Sequence, residues 1–204
     1  MSTPSEIIEF WFEGVEDPDT FDKTKNPFRK WFAKNELFDE EIRDRFEEDL
    51  VRAAGGEMDS WAESPGGRLA LILMFDQFSR NMYRGTSQAF ATDPLALDLS
   101  ERSVKDGFDR QLSLLKRTFI YLPFSHSENL KHQNEHLRLL EELIADSRKQ
   151  FPHNVAYFEY HLPFARRHRE IIERFGRFPH RNAALNRTST PQEMEFLKSP
   201  NSRF

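Results

Sequence analysis

Apolar residues return every three or four positions through most of this chain, which is the period of a helix. Between 39 and 54, Ile42, Phe46, Leu50 and Ala53 form one stripe, closed by Gly55-Gly56. The stretch 68–80, RLALILMFDQFSR, is apolar nearly all round and predicts a central buried helix. Residues 127–147 predict a long helix capped by Ser127, with Leu130, Leu137, Leu140 and Ile144 on one face. Pro123 is expected to break the helix before it. Residues 154–175 predict another helix, ended by Gly176, in which Pro163 forces a kink or a break because proline lacks a backbone donor. Thr3-Pro4-Ser5-Glu6 and Thr190-Pro191-Gln192-Glu193 read as capping boxes opening the first and last helices. Asp93-Pro94 starts a further helix that Gly107 ends, and Asn182 is placed to cap a short one at 183–185. Nothing alternates with period two as a strand would, and the longest irregular stretch is 14–27. The pattern predicts an all-α fold of about seven to nine helices in antiparallel pairs, forming a single all-helical domain over 1–204.

Composition sharpens this picture in three places. The chain has 20 Phe against 4 Tyr, so most aromatic rings lack a polar handle and suit core space between helices. Cysteine is absent, which excludes disulfides, thiol catalysis and cysteine-ligated metals and fits a reducing cytoplasm. The N-terminus, MSTPSEIIEFWF, lacks the basic start of a signal peptide. The longest apolar run, LALILMF at 69–75, is far short of the roughly 20 residues that span a bilayer. A soluble cytoplasmic protein with no membrane partner is therefore expected.

Charge is unevenly spread. Residues 1–60 hold 17 acids and 8 bases, whereas residues 161–204 hold 9 bases and 4 acids. Either the acidic first third packs near the basic last third, or the basic region meets an anionic partner. The overall charge of −5 argues against nucleic acid.

Phosphate-binding loops, dinucleotide glycine fingerprints and GxSxG elbows are missing. His132-Gln133-Asn134-Glu135-His136 matches the inverted zincin pattern, with both histidines on one helical face, but no third ligand is indicated and solvated helix surface explains it better. In YLPFSHSENLKHQ, 121–133, the residues His126, Ser127 and Glu128 fall at a helix N-terminus, where backbone N–H groups and the dipole favour negative charge. RFGRFPHRNAALNR, 174–187, packs four arginines and a histidine into fourteen residues, where Gly176 stops the helix and Pro179 holds Arg177, Phe178 and His180 in a tight turn. Arg177 and Arg181 are placed to clamp a carboxylate or phosphate. Asp76, Gln77, Arg80 and Asn81 end the apolar rod, and Asp76 needs a partner, for which a C-terminal arginine is a candidate.

These stretches carry a resemblance. IEFWF at 8–12, WFAKNELFDEEIRDRF at 31–46, LILMFDQFSRNMYRGTSQAFATDPLAL at 71–97, YLPFSHSENLKHQ and HREIIERFGRFPHRNAALNRTSTPQEMEFL at 168–197 together resemble the bacterial family called domain of unknown function 924. That resemblance implies an all-α, tetratricopeptide-like fold and no established activity. Ser79 stands where the family pattern usually has proline, and Asn186 where it usually has glycine.

The leading functional reading is a small-molecule site, binding or catalytic, for an anionic ligand. In it Glu128, His168 and His180 are the acid–base candidates, since histidine titrates near neutrality and a desolvated glutamate rises toward it. Arg80, His126, Gln133, Arg177, Arg181 and Asn182 would line it. The alternative is a tetratricopeptide-like scaffold for a protein partner, the same residues locking helices together. A third reading places a metal ion on His126, Glu128, His168 and His180; otherwise no cofactor is indicated.

Overall fold

The computed structural model describes residues 1–15, 30–200 and 202. The irregular stretch expected at 14–27 lies, beyond Val15, outside the described residues. Among the described residues there are nine α-helices and no strand. They are α1 (Pro4–Phe12), α2 (Glu36–Ala54), α3 (Pro65–Ile72), α4 (Ser79–Met82), α5 (Asp93–Asp106), α6 (Leu114–His126), α7 (Leu130–Gln150), α8 (Val155–Phe175) and α9 (Pro191–Phe196). The all-α expectation holds, and it holds for local reasons. Both capping boxes form, with Thr3 and Thr190 each accepting from the backbone N–H of the glutamate three residues on. Gly176, at φ 68°, ends α8 in the left-handed conformation that a residue with a Cβ adopts at a cost.

The phenylalanine bias is spent in the core. Phe10, Trp11 and Phe12 of α1 are buried against Trp31, Phe38, Phe46, Phe78 and Phe119, with ring centroids 4.8–6.4 Å apart in stacked, tilted and edge-on pairs. Buried residues from Ile7 to Ala165 join this core, while Ile171, Ile172 and Phe178 form a small second cluster. Helices α7 and α8, joined through a short 3₁₀ turn at Pro152–Asn154, pack along each other as a helical hairpin.

Several local expectations are corrected. The apolar rod at 68–80 runs from 65 to 82, but Leu73–Phe78 is π-helical between α3 and α4. Ser79 N–H bonds Met74 O, five residues back, and the Phe75 carbonyl instead accepts from the Ser79 and Thr92 hydroxyls. Pro123 does not break α6 and Pro163 does not break α8. Helix α7 is capped by Asn129, whose side chain accepts from Lys131 N–H, so Ser127 ends α6 instead. Residues 182–186 form turns, not a helix, so Asn182 is no N-cap; it ends the 3₁₀ turn Pro179–Arg181 instead, its N–H donating to Pro179 O. Asn186 sits at φ 52°, the left-handed region that asparagine tolerates better than other side chains, which accounts for its standing at a glycine position. Among the described residues, five bases of the last third pair outside the acidic first third: Arg169, Arg177, Arg181, Arg187 and Lys198 pair with Glu173, Glu193, Asp93, Glu128 and Glu195.

Candidate functional site

The π-helical turn delivers Asp76 to the interior. Its side chain is 1% exposed, and Gln77 donates to Oδ2 at 2.6 Å. Arg80, one turn on, faces the same way and places NH1 2.9 Å from Asp76 Oδ1. The last residue of α6 closes the arrangement: His126 Nδ1 is 2.6 Å from the same Oδ1. Arg80 also reaches Asp93, the first residue of α5, at 2.9 and 3.1 Å. Arg181, carried by the 3₁₀ turn Pro179–Arg181, meets Asp93 Oδ2 at 3.3 Å. Four segments far apart in the chain therefore share one chain of charges. His126, Arg80 and Asp93 are partly exposed, keeping 21%, 19% and 21% of their side chains in contact with solvent.

The Arg181 guanidinium lies over two rings, 4.6 Å from Phe90 and 4.7 Å from Phe178. Its Nε has no hydrogen-bond partner among the described residues. His180 and His168 flank the same Phe178, with centroids 5.7 and 5.5 Å from it. His168 Nδ1 lies 2.7 Å from Phe164 O, so it donates to that carbonyl.

Electrostatics separate the members. Burial would raise the Asp76 carboxyl, but Arg80 and His126 outweigh it and hold it far below the usual range. His126 is lowered, first by burial and then by Arg80, despite Asp76. Burial, then Arg181 and His168, push His180 down to about 3. Burial also takes His168 to about 4, with His126 and Arg181 adding to it. Arg181 is itself brought down to about 10 by burial and Arg80. At neutral pH His126, His168 and His180 are uncharged, chiefly because they are buried.

The other expected site residues are engaged differently. Glu128 accepts from Arg187 at 2.6 and 2.9 Å and from Phe178 N–H at 2.7 Å, which uses both oxygens. Burial raises its carboxyl, but Arg187 and Phe178 outweigh it and leave it lowered, so the expected rise toward neutrality is corrected. Arg177 forks onto Glu193 at 2.6 and 2.8 Å and lowers that carboxyl to about 2, tying α8's end to the cap of α9. The expected clamp of Arg177 with Arg181 is thus divided between two acids. Asn182 bonds Ser189 and Arg187, and Gln133 donates to the carbonyls of Ser125 and Ser127, closing the end of α6. Asp76 pairs with Arg80 and His126, while Arg181 takes Asp93.

Sequence reasoning missed Asp93, Phe90 and Arg187 as members of this region. Asp93 reads as a helix start, and nothing local marks it as the acid between two arginines. The two zincin histidines part company: His132 lies against Ser127 and Glu101, while His136 is buried, correcting the solvated reading. Among the described residues, no three His, Cys, Asp or Glu side chains are arranged to hold a metal ion. No helix among them is long and apolar enough to cross a membrane. A shallow recess of about 340 Å³ lies elsewhere, between α7 and α8, beside Ile144, Arg148, Leu162 and Arg166.

Comparison with known proteins agrees with the resemblance in the sequence. A family described as bacterial protein of unknown function (DUF924) matches residues 7–201. A solved structure of a protein of unknown function from Agrobacterium tumefaciens is 38% identical, covers 96% of each chain and superposes with a TM-score of 0.77. No curated protein matches significantly.

Proposed function

The chain belongs to the DUF924 family, which brings no activity with it, and from its geometry we propose that it binds a small anionic molecule between the α4, α5, α6 and 179–181 segments. In this reading His126 takes or gives a proton on that molecule. The observation that carries it is the Asp76–His126 contact at 2.6 Å, made by a carboxylate with almost no exposure to a histidine that reaches the surface.

A carboxylate at Nδ1 keeps the proton on that nitrogen and leaves the Nε2 lone pair as the acceptor. With its pKa lowered, the ring is neutral and ready as a base at pH 7. Arg80 and Arg181 supply the anion contact, and the Phe90 and Phe178 rings that the Arg181 guanidinium lies over help to hold its fork in place. Because both arginines already share Asp93, the incoming anion competes with that carboxylate. His168 and His180 form the wall beyond Arg181, and Glu128, held by Arg187, anchors the turn that carries Arg181. A cytoplasmic setting suits such a ligand.

The test is calorimetric titration of the full chain with inorganic phosphate and with a panel of small carboxylates. The reading expects at least one to bind, with loss of at least tenfold in affinity in Arg181→Gln. Nitrogen-15 spectra of wild type are expected to show His126 protonated at Nδ1, and Asp76→Asn to change that. If no anion binds and the variants only melt lower, the residues are the locking network of a tetratricopeptide-like scaffold, the reading then left standing.

A further inference from the structure

Helices α5 and α7 and the end of α6 bring together three side chains that the site above does not use. Ser127 Oγ lies 2.8 Å from His132 Nδ1, and Glu101 Oε1 lies 3.3 Å from His132 Nε2. Ser127 and His132 are half-buried, so both keep a route to solvent. Neither the family nor its solved neighbour assigns them a role.

From this line of groups we propose that Ser127 is an activated nucleophile, with His132 as its base and Glu101 as the positioning residue, acting on carboxylic esters. A carboxylate beside Nε2 favours the tautomer with its proton there, and that leaves the Nδ1 lone pair to accept from the Ser127 hydroxyl. The ring nitrogens are exchanged relative to the familiar serine hydrolase arrangement, but either nitrogen of an imidazole can serve as the base, and such sites are recognised by geometry and role. Two features hold the serine in place. Asn129 N–H donates to Ser127 Oγ at 3.3 Å, and Gln133 donates to the Ser127 carbonyl at 2.7 Å. The base is fixed as well, since its ring sits 6.3 Å from Phe124 in an edge-on contact. Helix α7 begins three residues after Ser127, so the positive end of its dipole lies close to the serine in the chain.

The step balances without a cofactor. Ser127 Oγ bonds the ester carbonyl carbon while its proton passes to His132 Nδ1. The carbon–oxygen bond to the alcohol then breaks, and the leaving oxygen takes that proton. Water adds to the acyl-serine, its proton returning through Nδ1 to Ser127, and the carboxylic acid leaves. This inference is independent of the anion site at His126, and its test does not pass through Arg80 or Arg181.

The experiment treats the full chain with a fluorophosphonate probe, which reacts with activated serines, and locates the adduct by peptide mass spectrometry. The expected result is one adduct per chain on Ser127, absent in Ser127→Ala. His132→Gln should slow labelling by roughly a hundredfold or more, and Glu101→Gln should slow it by a smaller factor that Glu101→Asp partly restores. Circular dichroism melts of each variant show whether it remains folded, so that lost labelling is read only on folded protein. Failure to label wild type, an adduct on another serine, or wild-type labelling of folded His132→Gln would each overturn the proposal.

Discussion

Lowering the pH from 7.5 to 5.0 should weaken this fold through its buried histidines, and His136 allows the size to be worked out. It is 6% exposed, and its Nδ1 has no partner among the described residues. Burial first, then His168, His126 and His161, take its pKa down to about 3. An unfolded histidine titrates near 6.5 (roughly, in model peptides). The folded value is depressed, so the unfolded chain binds the extra proton throughout the window between the two values. Stability is therefore complete above about pH 6.5 and is lost as pH falls toward 3. At pH 5.0 the unfolded residue is almost fully protonated and the folded one is not, which amounts to about 2 kcal/mol lost relative to pH 7.5. His168 and His180 are depressed in the same direction and add to the loss. The assay is urea unfolding at both pH values, followed by tryptophan fluorescence and far-ultraviolet dichroism on wild type and His136→Leu. The variant should lose about 2 kcal/mol less than wild type over that interval. Equal losses in the two proteins would refute the reasoning, because a histidine that is neutral when folded cannot be removed without changing the slope.

Three further outcomes follow from packing. Gly67→Ala should destabilise by more than about 3 kcal/mol, because the new Cβ would meet Trp61 O at 2.0 Å; Gly66→Ala, whose nearest new neighbour is Ile8 Cδ1 at 3.8 Å, should be neutral or stabilising, and urea midpoints will separate the two. Asp76→Asn removes the acid from a buried pair with Arg80 and His126 and should cost about 3–5 kcal/mol in the same assay. Thr190→Ala deletes the hydroxyl of the last capping box and should cost about 1 kcal/mol, with amide exchange quickened in α9 before the rest of the molecule.

Helix period, caps and composition were enough to determine the fold class and most helix positions, because each depends on neighbours within a turn or two. Thr3 and Thr190 cap the residues beside them, Gly176 stops the helix it follows, and Phe38 and Phe46 are buried on the stripe of α2 while Phe10 and Phe12 are buried in α1. The gathering of His126, Arg80 and Arg181 was suggested by residue type alone. Their partners were decided only by tertiary structure. A helical period assigns a side chain to a face, but it does not say which other face will meet it, and the contacts that matter cross long stretches of chain. Asp76 meets His126 across 50 residues, Arg187 meets Glu128 across 59, and Arg181 meets Asp93 across 88. The same limit hid the π-helical turn at 73–78, whose freed Phe75 carbonyl is satisfied partly by Thr92 from outside the rod. It also decided Glu128. Two carboxylate oxygens at a helix start look available for chemistry until a distant arginine occupies both, and that occupant enters only when the chain has folded.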